Sequence, residues 1–320
     1  DKKVIVDLAI PNDIDAAVIA KHQIHYIEVS SLQQIAEKNI QERYAELDNA
    51  EKIFLNILNE KHHYGPAHNG LAAVIKSKRI PYLKTYPSIS AAIKNPNITN
   101  MHDFLEVFPD LAYYPGNVAK GMAWNQLYTA TVYFPFLVKQ HRVFVVPPLH
   151  IDLALAMKAP YFRFNSTFDN RQWMDIRGVG SGAAAIEYVE RGAFQERNVI
   201  LHEYVHLFHG QVLTDKQNRK IRELYYNAME NGLTLDYYSQ NNESEYLAQT
   251  YPAYFEMVKV HPLDFKSMNT LNDLKTKDPK MYAFLDDMIT KEKAYLAGDK
   301  QAMASNWSEV YVNLARNSAK

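Results

Sequence analysis

The chain has 320 residues, a formal net charge of −1 and no cysteine. That length suffices for one large domain or two smaller ones. The near-zero charge excludes an electrostatic footprint for nucleic acid or an anionic membrane surface, and the missing cysteine excludes disulfides, thiol catalysis and cysteine-ligated zinc.

No apolar run is long enough for a membrane span. The chain opens "DKKVIVDLAI" without an initiator Met, which reads as a processed start and gives the expectation of a secreted or periplasmic protein. Residues 1–30 mix short apolar runs with turns, and "VIVDLAIPND" and "IHYIEVSS" are strand-like. From Ser31 the period becomes helical, with Leu32, Ile35, Ile40, Tyr44, Leu47, Ile53, Phe54 and Ile57 at helix spacings. Gly65-Pro66 breaks this run, and a second helix is expected from about Ala67. The pair resembles one tetratricopeptide-type hairpin; the plainer reading is a helical layer on the main domain.

Residues 80–170 are rich in proline and aromatics. "RVFVVPP" (142–148) is the best strand candidate, and "PLHIDLALAMKAP" suits a short helix. Near the C-terminus, "DPKMYAFLDDMITKEKAYLAG" and "DKQAMASNWSEVYVNLARNS" flank Gly298-Asp299 and predict an antiparallel helical hairpin. The whole pattern predicts a mainly α-helical α+β protein with a small sheet.

The stretch "NVILHEYVHLFHG" (198–210) carries the chemistry. Residues i and i+4 of a helix share a face, so His202 and His206 can offer two imidazole nitrogens to one metal ion. Glu203 lies about 100° further round the helix, where it can reach a water on that metal but cannot complete the same ligand plane. This is the mechanical content of H-E-x-x-H, and it predicts a zinc site with Glu203 as general base.

The third ligand is open at this level. His209 is seven residues after His202, about 10 Å along the axis, so it is expected beside the site rather than on the ion. Glu223 and Glu230 sit on a polar helix where both can be solvated. "DYYSQNNESEYLAQTYPAYF" (236–255) reads as a largely buried helix. At most one of its Glu243 and Glu245 faces a metal. Glu245 shares its face with Ala248, Gln249 and Pro252, and Ala248 is small enough for a close helix approach. The competing role for Glu245 is a capping box with Asn242 as N-cap.

From Trp173 to Ile289 the chain resembles the lethal factor-like gluzincin metallopeptidases, which include the anthrax lethal factor catalytic domain and the Pro-Pro endopeptidases. The resemblance rests on "WMDIRGVGSG", "HEYVH", "YSQNNESEYLAQ" and "KMYAFLDDMI", in that order. It implies a zincin-type domain and a zinc-dependent endopeptidase acting on protein or peptide. His202, His206 and Glu245 would hold one Zn²⁺. Glu203 would be the base, and Tyr238 would steady the oxyanion. Two positions depart from the family pattern: Gln249 replaces a frequent Glu, and Met174 replaces the second Asp. No Pro-Pro specificity is carried over.

On this reading residues 1–130 form a mainly helical N-terminal region, and 131–320 form the metallopeptidase domain with the C-terminal hairpin. A strand bordering the cleft is expected in "GAAAIEYV" (182–189), although its alanines also suit a helix. An aminopeptidase is the enzymic alternative, but the chain has no G-x-M-E-N-type motif for gripping a free amino terminus. From another class, the alternative is a catalytically silent helical interaction module with a structural or vestigial zinc site.

Overall fold

The helical period after Ser31 folds as expected, though not alone. A computed structural model describes residues 4–7, 14–22, 24–62, 64–168, 170–173, 176–258, 260 and 269–319. The chain divides into two units, residues 1–74 and 75–320. In the first, strands β1 (Val4–Asp7) and β2 (His25–Glu28) pair in parallel, with helix α1 (Ala16–His22) between them. Helices α2 (Val29–Glu60) and α3 (Gly65–Lys78) follow. A Cβ on Gly70 would lie 2.3 Å from Cζ of Phe54, so the glycine lets α3 rest on that ring. At 32 residues, α2 alone nearly fills the length of a tetratricopeptide unit, which holds two helices in about 34.

The division falls within α3, between Val74 and Ile75, and not near residue 130. The reason is in the aromatics of 80–170. The second unit continues with α4 (Tyr86–Lys94), α5 (Met101–Val107), α6 (Val118–Leu127), α7 (Phe134–Lys139) and α8 (Leu153–Ala156). Phe104, Phe108, Phe134 and Phe144 from this stretch pack in one core with Tyr204 and Phe208. Phe108 lies 5.6 Å from the Tyr204 ring, and Tyr133 stacks on Phe208 at 4.1 Å. A cut at 130 would split that core.

The sheet of this unit is very short. Strands β3 (Gly178–Val179) and β4 (Ala183–Ala184) are antiparallel, and "RVFVVPP" adds a single parallel bridge from Val145 to Ala183. The prolines at 147 and 148 have no N–H to extend it. The strand expected over 182–189 is confined to two residues. Ala185 is the extended N-cap of helix α9 (Ile186–Ala193), which buries Val189 and Gly192. An Arg177–Glu187 ion pair at 2.5 Å fixes the first turn of that helix. The β-forming residues at 186, 188 and 189 are overruled by an amphipathic face that packs as a helix.

Helix α10 (Val199–Gln211) runs through the core, followed by α11 (Asp215–Asn231), α12 (Glu243–Ala253) and α13 (Leu271–Lys277). The expected C-terminal hairpin forms from α14 (Pro279–Leu296) and α15 (Ala304–Ser318), and Gly298 takes φ +110° at the turn. Among the described residues no helix is long and apolar enough to cross a membrane.

One buried carboxylate ties these helices together. Glu292 on α14 is fully buried and accepts from Tyr133 at 2.7 Å, Tyr251 at 2.7 Å and Thr129 at 2.5 Å. Burial pushes its carboxyl up to about 7, against the three hydroxyls that favour the ion. The folded chain therefore holds a proton there that the unfolded chain releases. The stability this proton contributes is complete below about 4.5, and it is lost as pH rises through about 7. We expect the melting temperature to fall across that window in calorimetry and Glu292→Gln to flatten the fall. An unchanged pH profile in the variant would remove Glu292 as its source.

Candidate metal centre

Helix α10 is apolar on nearly every side, which suits a core helix. Val199, Ile200, Leu201, Tyr204, Val205 and Phe208 are buried around it. Asn198 starts it: its Oδ1 accepts from the Leu201 amide at 3.0 Å and its Nδ2 donates to the Gln126 carbonyl at 3.0 Å. The two histidines one turn apart, His202 and His206, then turn to the same face, with ring centroids 5.0 Å apart.

The face they share meets α12. This helix starts at Glu243, later than the sequence pattern suggests, because residues 236–242 form turns. Its N-cap is Asn242, whose Oδ1 accepts from the amides of both Ser244 and Glu245 at 2.9 Å. That cap leaves the Glu245 carboxylate free of the capping-box role. The carboxylate points at the histidines instead: Oε2 lies 3.2 Å from Nε2 of His202 and 3.4 Å from Nε2 of His206. The two Nε2 atoms are 3.3 Å apart. Ala248, fully buried, allows the close crossing of the two helices.

The far side of each imidazole is held by α12. Nδ1 of His202 donates to the Ala248 carbonyl at 3.0 Å, because a carbonyl only accepts. Nδ1 of His206 lies 2.8 Å from Ser244 Oγ, and that hydroxyl is 3.4 Å from Nδ1 of His209. With His206 donating, the Ser244 proton turns to His209. Burial first, and the neighbouring His206 second, lower the His209 pKa to about 4, which keeps it a neutral acceptor. His209 thus reaches the cluster through Ser244 and does not join it.

With a proton on each Nδ1, as metal-bound histidines of this kind carry it, each Nε2 would present a lone pair to the space between the rings. Two nitrogens and a carboxylate oxygen, all three able to ligate a metal ion, converge on one another. The Oε2 atom of Glu245 is buried and, apart from the histidines, meets no hydrogen-bond donor among the described residues. Burial works against the Glu245 carboxylate, yet the two imidazoles reverse this and hold its pKa below the usual range. For His206, burial works against the cation and Glu245 outweighs it, raising the pKa.

Glu203 is buried beside the cluster, with a carboxylate oxygen within 4.8 Å of donor atoms on both histidines. Burial raises its pKa, opposed by His202 and His206. Two glycines of "RGVGSG" make room. A Cβ on Gly178 would lie 2.8 Å from Glu203 Oε1, and one on Gly180 would lie 3.0 Å from the His206 ring. This gives the glycine-rich stretch a physical role that its composition alone did not specify.

Tyr238 lies next to the cluster, its ring 6.1 Å from that of His202. Tyr237 touches Tyr238, so of the adjacent pair it is Tyr238 that packs on the histidine. The Tyr238 hydroxyl accepts from Arg171 Nη2 at 3.2 Å, and Phe168 packs on its ring. The other candidates lie elsewhere. Glu223 and Glu230 are exposed on α11, Glu223 against Lys220, and Glu243 pairs with Arg222 at 3.0 Å. Met174 falls outside the described residues. Sequence reasoning missed Ser244 and Arg171; a serine two residues into an N-capped helix and a lone arginine leave no pattern to find. No family model matches the chain, and neither a curated protein nor a solved structure matches it.

Proposed function

We propose that the chain is a zinc-dependent endopeptidase of gluzincin type, in a zincin-like domain, with His202, His206 and Glu245 as the ligands of one Zn²⁺. The observation that carries this is the convergence of three atoms of metal-ligand type at 3.2–3.4 Å. Donors at about 2.0–2.1 Å from a tetrahedral zinc stand about 3.3–3.4 Å apart, so the donor set fits the ion in chemistry and spacing. The bonds from Nδ1 to Ala248 and Ser244 are the outer partners such histidines require.

Held by His202, His206 and Glu245, a zinc ion would supply Lewis-acid chemistry, acidifying a water from about 15.7 towards 7 and polarising the peptide carbonyl. Glu203 accepts the proton of the attacking water and passes it to the leaving amine. Its buried site keeps it from being spent on solvent contacts. The Tyr238 hydroxyl, oriented by Arg171, donates to the oxyanion of the tetrahedral intermediate.

The edge that takes an extended peptide is not the one expected. β4 is bonded on both sides, to β3 and to Val145. "RVFVV" is closed as well, since Asp110 and Tyr114 take the amide and carbonyl of Val146. We place the substrate on β3. The carbonyls of Arg177 and Val179 accept from Ala185 and Gly182, on either side of β4, so alternation turns the N–H and C=O of Gly178 away from that strand, beside Glu203.

Metal analysis of the purified chain together with a peptide-library digest tests the reading. About one zinc per chain and internal cleavage are expected. Zinc without hydrolysis of any peptide would favour the silent interaction module, and release of single N-terminal residues would favour an aminopeptidase.

Tyr238→Phe tests the oxyanion role separately. It removes one hydroxyl and leaves the ring contact with His202. We expect kcat to fall about 10²-fold with KM and zinc content unchanged. A wild-type kcat would assign Tyr238 to packing.

A further inference from the structure

Gln249 stands one turn beyond Glu245 on α12 and is 6% exposed. Its Nε2 is buried and has no hydrogen-bond partner among the described residues. A buried amide donor without an acceptor carries its full desolvation penalty. The same residue lines a small recess together with His202. Arg197 and Glu256 line it too, and Pro252, Ala253 and Val260 supply apolar wall. Burial pushes the Glu256 carboxyl up to about 7, against a hydrogen bond from Asn198.

We propose that this recess is a subsite for a carboxamide side chain, glutamine or asparagine, on the peptide that crosses the His202–Glu245 centre. The inference rests on the peptidase reading for the position of that peptide. Recognition follows from the two ends of the amide. Its oxygen meets the Gln249 donor, and its NH₂ donates to Glu256. A lysine would suit Glu256 but would face Arg197 and leave Gln249 without an acceptor. A glutamate would suit Gln249 and Arg197 but would press against Glu256. A leucine would leave both polar groups buried and unanswered. A site built on hydrogen bonds rejects an isostere that lacks them more strongly than an apolar pocket rejects a change of size. The departure at position 249 thereby acquires a role: a glutamine there offers a donor that a glutamate cannot.

The test is binding, read apart from turnover. Peptides Ac-Ala-Ala-Xaa-Ala-Ala-NH₂, with Xaa as Gln, Leu, Glu or Lys, are titrated calorimetrically into the full zinc-loaded chain carrying Glu203→Gln. The Gln peptide should bind at least about tenfold tighter than the other three. Adding Gln249→Leu should abolish that preference. If Gln249→Leu melts early, Glu256→Ala reads the other end of the amide and should abolish it as well. Equal binding of the four peptides, no binding of any, tighter binding of Leu, Glu or Lys, or a preference that survives both variants overturns the proposal. If the native chain cleaves none of the peptides while the preference holds, the peptidase reading falls and the subsite stands. If it cleaves them all alike and the preference is absent, the subsite falls and the peptidase reading stands.

Discussion

Replacing Glu203 by Gln is expected to leave zinc in place and lower kcat by about 10²–10⁴-fold on any peptide the native chain cleaves. The side chain is buried with its carboxylate within 4.8 Å of donor atoms on both histidines, and it is not one of the three convergent groups. Gln is nearly the same size and fits the space left by Gly178. It cannot take a proton. The loss should therefore appear in kcat, with KM and metal content close to native. The pH profile gives a second signature. On the proposed reading Glu203 takes the proton as the ion. Activity should then fall as pH drops through the pKa of Glu203, giving an acid limb that the Gln variant lacks. Full hydrolysis by the Gln variant, or an acid limb left in place in its residual activity, would transfer the base role to another group.

Glu245→Ala should lower zinc affinity by more than about 100-fold, measured by competition with a chelator at fixed pH. Its Oε2 atom is held among the imidazoles with no other hydrogen-bond donor among the described residues. Removing it leaves two nitrogens, which cannot by themselves set three corners of a tetrahedron. Ser244→Ala provides a graded control. It keeps all three donor atoms but releases Nδ1 of His206, and outer partners of this kind are worth about 10–100-fold in affinity. A Glu245→Ala chain that binds zinc like the native protein would strike the glutamate from the ligand set. Equal effects from the two variants would mean that helix packing, and not ligation, had been measured.

The sequence carried the local half of this site because the local half is periodic. An i, i+4 pair on an apolar helix must share a face, and Asn198 ahead of it is a cap that any chain context would use. His202, Glu203 and His206 could thus be read without a fold. The same holds for the long period of α2 and for the hairpin around Gly298, where the turn requires a positive φ. The mainly helical α+β class follows from such runs added along the chain.

What the tertiary structure alone decided is everything that depends on which elements meet. Glu245 had two local roles of similar merit, cap and ligand. The choice fell to the cluster because Asn242 satisfies both exposed amides by itself and Ala248 lets α12 lie close against α10. Tyr238 was separated from its neighbour Tyr237 only by packing against His202. Residues 182–189 had both strand and helix character, and two strand residues followed by α9 resulted because Val145 and Gly178 pair with the first part while Val189 seeks the core. The division at residue 74 also came from packing, since the aromatics of 80–170 join the core around Tyr204. Local rules are set by backbone sterics within one or two turns of chain, whereas burial is shared between segments far apart in sequence, and no single segment encodes its partner.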